Sequence, residues 1–391
     1  MRYLFVLIIL FQSVISYAVE REIPKTPEIR RHTVRFNGDY LSTHSLIIDT
    51  RTSEEKDRDF KSKKLNGNVI LFIHGQQQRP KSAFGFTSKL ALYSKSGIVV
   101  IPVCDTPFGK DSQFWGDRGK EVILMELTRL FLQKKGIDID GYDKVTSNEV
   151  LIDNKETLDV SLSPILSKVT IIGWSHGAVL ARRIAHAYPN AINDLVQVSP
   201  AGFVDWGFPK LIGPGCLFVN FFIECLNISA SAFRGIFKGE IVHALSAGWN
   251  ITVGTAGDTY RSIPSCLLGN TNILKPARTY KDIKDCSVYA DDSNYPVSHL
   301  KNLVVLYGEN DTVFDTAGAL SVKKPTENHI QKFWQKYYPS NIKNGTQMMF
   351  KVLPGNHIGP LVYPNEYVLA ALEYSEQLNS DAHSNLMSHL K

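Results

Sequence analysis

The chain has 391 residues, of which 43% are hydrophobic, 10% aromatic and 21% charged. That mixture is too apolar for a disordered chain, too polar for a membrane bundle, and sufficient for a sizeable core. The net charge of +5 arises from 43 basic and 38 acidic residues spread along the chain. With no basic stripe interleaved with aromatics, the pattern argues against nucleic acid as the main partner.

Residues 1–18 read as a secretory signal peptide. Arg2 precedes an apolar run from Tyr3 to Phe11, and Ser16-Tyr17-Ala18 is a small-x-small cleavage site. The run is too short to cross about 30 Å of hydrocarbon, so cleavage after Ala18 and release to a periplasm or the medium are expected rather than anchoring. Residues 19–31, with Pro24 and Pro27, read as an irregular lead-in. Strands are expected near His32–Phe36 and Tyr40–Ile48, followed by a solvated, charge-dense turn from Arg51 to Lys64.

From there the pattern alternates. The runs at 68–75 (NVILFIHG) and 97–103 (GIVVIPV) have the continuous apolar character of parallel strands buried on both faces. Ile123, Leu127 and Leu130 recur at i, i+4, i+7 on a helix. The strand at 168–174 (KVTIIGW) leads into a second helix marked by Leu180, Ile184 and Ala187. Strands at 194–200, 302–308 and 348–355 and a helix near Glu366–Leu378 complete the set. The fold class is α/β, a mostly parallel sheet with helices on both faces. Two stretches break the rhythm. Residues 137–167 are polar and read as a surface insertion, and residues 203–300 read as a cap or lid. The apolar run Leu211–Ile223 inside that lid is interrupted by Pro214 and Asn220, so it is read as lid core or substrate wall rather than a membrane span. The expected organisation is a catalytic domain of residues 19–202 and 301–391, interrupted by the lid.

The strongest local signal is Gly173-Trp174-Ser175-His176-Gly177, placed between an apolar strand and a helix. A nucleophile there projects its oxygen from a sharp strand-to-helix turn. Gly173 and Gly177 let strand and helix approach, and the helix N-terminus supplies N–H groups and partial positive charge beside Ser175.

On this motif and its setting the chain resembles the α/β-hydrolase superfamily over about residues 70–374, with its serine esterases and lipases as the nearest match in chemistry. That family orders nucleophile, acid and histidine along the chain. Here Asp311 follows Ser175 by 136 residues and His357 follows Asp311 by 46, each just past a strand. The resemblance implies Ser175 as nucleophile, His357 as general base and acid, and Asp311 as the group orienting the imidazole. Glu309, Asp315 and Asp205 compete for the acid position. It also implies an oxyanion hole from the backbone N–H groups of His176 and of Gln76, the latter in the stretch HGQQQ. That stretch departs from the HGGG of many carboxylesterases, so their substrate preferences do not transfer.

The implied activity is hydrolysis of carboxylic esters through an acyl-enzyme on Ser175, with no cofactor and no metal. The substrate is a small-molecule ester with an apolar acyl or aromatic part, and an apolar lid admits contact with lipid or a membrane surface. Thioesters, lactones, a non-hydrolytic lyase using the same residues, and an inactive binding protein on the same scaffold are the alternatives. Cys104 ends a strand and reads as a buried thiol. Cys216, Cys225, Cys266 and Cys286 all fall in the lid, where three disulfide pairings are open and nearest-neighbour pairing is preferred. Asn227, Asn250 and Asn344 head glycosylation triplets.

Overall fold

The computed structural model describes residues 21–36, 39–75, 83–103, 119–143, 150–153, 164–201, 203, 292–311 and 324–379. The signal-peptide residues, Gln76, Asp205, Asp315, all five cysteines and nearly all of 203–300 lie outside the described residues.

Eleven strands are described. In chain order they are β1 (Glu28–Phe36), β2 (Asp39–Asp49), β3 (Val69–Ile73), β4 (Ile98–Val103), β5 (Ile137–Ile139), β6 (Val150–Asp153), β7 (Ile165–Ser167), β8 (Val169–Trp174), β9 (Ile192–Val198), β10 (Asn302–Gly308) and β11 (Gln347–Leu353). Nine of them form one sheet in the order β6-β1-β2-β4-β3-β8-β9-β10-β11, and β5 pairs with β7 alone. The run from β4 through β11 is parallel, while β6, β1 and β2 add an antiparallel margin. The helices are α1 (Ser53–Ser62), α2 (Phe84–Tyr93), α3 (Gly119–Gln133), α4 (His176–Ala187), α5 (Glu327–Tyr337), α6 (Pro339–Asn344), α7 (Gly359–Val362) and α8 (Pro364–Tyr374).

The apolar runs are continuous because the sheet is covered on both sides. Along β3, Val69, Leu71 and Ile73 enter one core with Ile123, Leu127, Leu180 and Ile184 of α3 and α4. The alternate residues Ile70 and Phe72 enter a second core with Phe86 and Leu90 of α2 and Val368 and Leu372 of α8. Every one of these side chains is almost wholly withdrawn from water. At roughly 1.5–3 kcal/mol per large apolar side chain, this burial is the main stabilising term.

Three expectations need correction. The stretch Arg51–Lys64 is not a solvated turn, because residues 53–62 form α1. Thr52 and Glu55 close a capping box, with the Thr52 hydroxyl accepting from the Glu55 N–H at 3.2 Å and the Glu55 carboxylate from the Thr52 N–H at 3.0 Å. Its charges are not all solvated either: Asp59 is buried against Arg51, which also grips Asp49. The lead-in is shorter than expected, since β1 begins at Glu28. Finally, 137–167 is not a plain surface insertion. It carries β5, β6 and β7, with Ile137, Ile139 and Ile165 in the core. Those strands are only three or four residues long, too short to leave a periodic trace in a polar sequence.

No helix among the described residues is long and apolar enough to cross a membrane.

Candidate active site

β8 ends at Trp174 and α4 begins at His176, so Ser175 alone makes the strand-to-helix turn. Its backbone, at φ 58° and ψ −125°, lies in a region that L-residues rarely occupy and that costs on the order of 1–3 kcal/mol. Neighbouring bonds hold it there. Its N–H donates to the Val198 carbonyl at 2.8 Å, and its carbonyl accepts from Ala178 at 3.0 Å and Ala201 at 3.2 Å. The two glycines of the motif provide the clearance. A Cβ at Gly173 would lie 2.5 Å from the Ala178 Cα, and one at Gly177 would lie 2.5 Å from the His74 carbonyl oxygen while also striking that of Ile73. The start of α4 is therefore pressed directly onto the end of β3.

Ser175 occupies the N-cap position of α4, where a serine hydroxyl ordinarily accepts from the helix and contributes about 1 kcal/mol. Here it makes no such bond. Its Oγ lies instead 3.0 Å from Nε2 of His357. On the other side of the ring, Nδ1 of His357 is 3.0 Å from Oδ2 of Asp311. With the proton on Nδ1, the imidazole donates to Asp311 and Nε2 accepts from the Ser175 hydroxyl.

Sequence separation hides this convergence. Asp311 follows β10 and His357 follows β11, two adjacent parallel strands in register from Asn302↔Gln347 to Gly308↔Leu353. Both loops therefore leave the same edge of the sheet and are tied together, the Glu309 N–H donating to the Leu353 carbonyl at 2.8 Å and the Asn310 N–H to the Gly355 carbonyl at 2.9 Å. Asp311 and His357 are buried, at 2% and 8% exposure, and Ser175 sits at 9%. Of the competing acids, Glu309 is exposed, and Asp315 and Asp205 lie outside the described residues.

Burial first, and then the negative charge of Asp311, push the phenols of Tyr307 and Tyr367 well above the ordinary tyrosine range, so both stay neutral. Neither was expected from the sequence; each lies on an apolar stretch where a tyrosine reads as core. His176, one of the two expected oxyanion donors, is the first residue of α4 and is buried beside Ser175. The second, Gln76, lies outside the described residues, but His74, which follows β3 two residues before it, abuts Gly177. The arrangement can remove a proton from a serine hydroxyl and hold the resulting imidazolium against a buried carboxylate.

No protein-family model and no curated protein matches the sequence. Among solved structures the chain is similar to an α/β hydrolase enzyme from a Medee basin deep-sea metagenome library, with 15% identity over 93% of this chain and 100% of that one, at a TM-score of 0.42. It is similar also to a peroxisomal α/β-hydrolase of Saccharomyces cerevisiae, with 10% identity over 95% and 96% of the two chains, at a TM-score of 0.49. A third similarity is to a fungal esterase from Rhizomucor miehei, with 11% identity over 92% and 87%, at a TM-score of 0.42. At such identities and TM-scores these likenesses carry no argument about this chain. Taken on its own topology, the chain has an α/β-hydrolase fold: a mostly parallel, helix-flanked sheet with a serine on the strand-to-helix elbow at its carboxyl edge.

Proposed function

We propose that the protein is a serine hydrolase acting on carboxylic esters through an acyl-enzyme on Ser175. The observation that carries this reading is the continuous chain from Ser175 Oγ to His357 Nε2 and from His357 Nδ1 to Asp311 Oδ2, each link 3.0 Å long. A core serine has no need of a strained backbone, a surrendered helix cap and a buried imidazole–carboxylate pair at once.

The chemistry follows from those contacts. The Ser175 oxygen attacks the ester carbonyl carbon as His357 Nε2 takes its proton, and the carbonyl electron pair becomes an oxyanion. The N–H of His176, with that of Gln76 as the second donor, stabilises this charge. Collapse breaks the bond to the alkoxy group, which leaves with the proton from His357. Water then enters by the same steps in reverse order and releases the acid from Ser175. Asp311 keeps the imidazole in the Nδ1–H tautomer and stabilises the imidazolium in both halves.

The rest of the organisation belongs to the same proposal. Residues 1–18 direct export, 19–202 and 301–391 form the catalytic domain, and 203–300 form a lid offering an apolar wall to an acyl or aromatic group and contact with lipid. In support, β9 and β10 are adjacent and parallel although that insertion lies between them. The test is hydrolysis of p-nitrophenyl esters graded by acyl length, together with labelling by a fluorophosphonate probe. Wild-type protein should turn over the esters, release free acid and label, whereas Ser175→Ala should do none of these. Equal rates for the two proteins would refute the reading, and product without free acid would move it to a lyase.

A further inference from the structure

Trp174 immediately precedes the serine on which the proposed function rests. It is fully buried on the face of the sheet that packs against α2, α7 and α8, opposite the face that Gly173 turns to α4. Its indole Nε1–H donates to the backbone carbonyl of His357 at 3.1 Å. The two rings lie 6.4 Å apart, tilted by 41°, so the contact is a directed hydrogen bond rather than a stack.

The His357 loop is held by its carbonyls. The Gly355 carbonyl accepts from Asn310 in the acid loop at 2.9 Å, and that of Asn356 accepts from Gly359 at the start of α7 at 2.8 Å. The His357 carbonyl is the next in line, and it is the one tied across to β8. Consecutive residues of one strand end thus grip one histidine at two points. Ser175 meets its Nε2 and Trp174 holds its main chain. Fixing the backbone in this way limits how far the imidazole can drift from the serine oxygen, on which the proton transfer depends. We infer that Trp174 is a positioning residue for the base, acting through this bond rather than through its bulk. The inference deepens the serine-hydrolase reading and rests on it.

Two replacements separate the bond from the bulk. Trp174→Phe removes the N–H and part of the ring. Site-specific incorporation of 3-benzothienylalanine at position 174 keeps the bicyclic shape and puts sulfur where the N–H stood. For both, kcat per titrated active site should fall about tenfold or more with KM within about twofold of wild type, because misplacement of a reacting group by a fraction of an ångström acts on the chemical step. The rate of fluorophosphonate labelling should fall in parallel, since it uses the same base without ester binding. A benzothienyl protein with wild-type kcat and labelling rate overturns the inference, even if Trp174→Phe is impaired or fails to fold, because packing alone would then explain the tryptophan. A wild-type protein that neither hydrolyses esters nor labels removes the serine-hydrolase reading and this inference with it.

Discussion

Adding one methyl group at Gly177 tests how much the elbow depends on close approach of two backbones. In Gly177→Ala the new Cβ would lie 2.5 Å from the His74 carbonyl oxygen and 2.9 Å from its carbon, with the Ile73 oxygen also in collision. All three are main-chain atoms of the last residue of β3 and the residue after it, so no side chain can rotate away. Restoring ordinary contact requires α4 and the His74–Gly75 segment to separate by roughly 1 Å, an overpacking cost of about 1–3 kcal/mol. Alanine returns up to about 1 kcal/mol through its better helix propensity. The net loss should be about 1–2 kcal/mol, read from urea unfolding. Activity should suffer more than stability. The same separation shifts His176 away from the end of β3, and a displacement of this size costs about 100-fold in kcat. The control is Gly136→Ala. Nothing lies within 4 Å of a Cβ there, and the only strain is the positive φ of 71°, so it should lose stability and leave kcat intact. A Gly177→Ala protein with wild-type kcat and stability would show that the elbow is not tightly packed and that this reasoning is wrong.

Replacing Asp311 with Asn should preserve the fold and lower kcat by about 10³–10⁴-fold, because the amide favours the wrong imidazole tautomer; a loss below tenfold in steady-state kinetics would assign the acid elsewhere. Far from Ser175, Asp194 on β9 tests the amino edge of the sheet. Its carboxylate accepts from Thr170 at 2.8 Å, Asn68 at 2.9 Å and Asn302 at 2.8 Å. Asp194→Ala strands those donors and should cost about 2–4 kcal/mol in urea unfolding, with kcat unchanged. Burial raises the Asp194 pKa against the lowering effect of these bonds. Its contribution to stability is therefore full below the ordinary carboxylate range and lost as pH rises through the raised value. The gap between wild type and Asp194→Ala should accordingly widen as pH falls from 7 towards 4, and parallel stability curves over that range would count against the raised pKa.

Much of the fold can be read directly from the chain, and the reason is burial. Runs such as Val69–Ile73 and Asn302–Gly308 are apolar without alternation because both sheet faces are covered, and few other environments impose that pattern. The elbow is legible for a similarly local reason, since two glycines and a serine within five residues satisfy a steric demand confined to that turn. What escaped was either too short or too polar. β5 and β7 have three residues each and are defined by their pairing with one another. α1 hides among charges because Asp59 and Arg51, which look solvated in sequence, neutralise each other inside.

The sequence by itself determined the order of the elements and the chemical types at Ser175, Asp311 and His357, since strand–helix alternation and the elbow motif are local properties. Only the tertiary structure decided which carboxylate meets the His357 ring. Parallel pairing of β10 with β11 carries both loops to one edge, and their backbone bonds leave Asp311 buried against the imidazole while Glu309 stays in water. The structure alone likewise joins Trp174 to His357 across 183 residues. Contacts of that kind depend on sheet register, and register is set by the packing of the whole molecule rather than by any window of the chain.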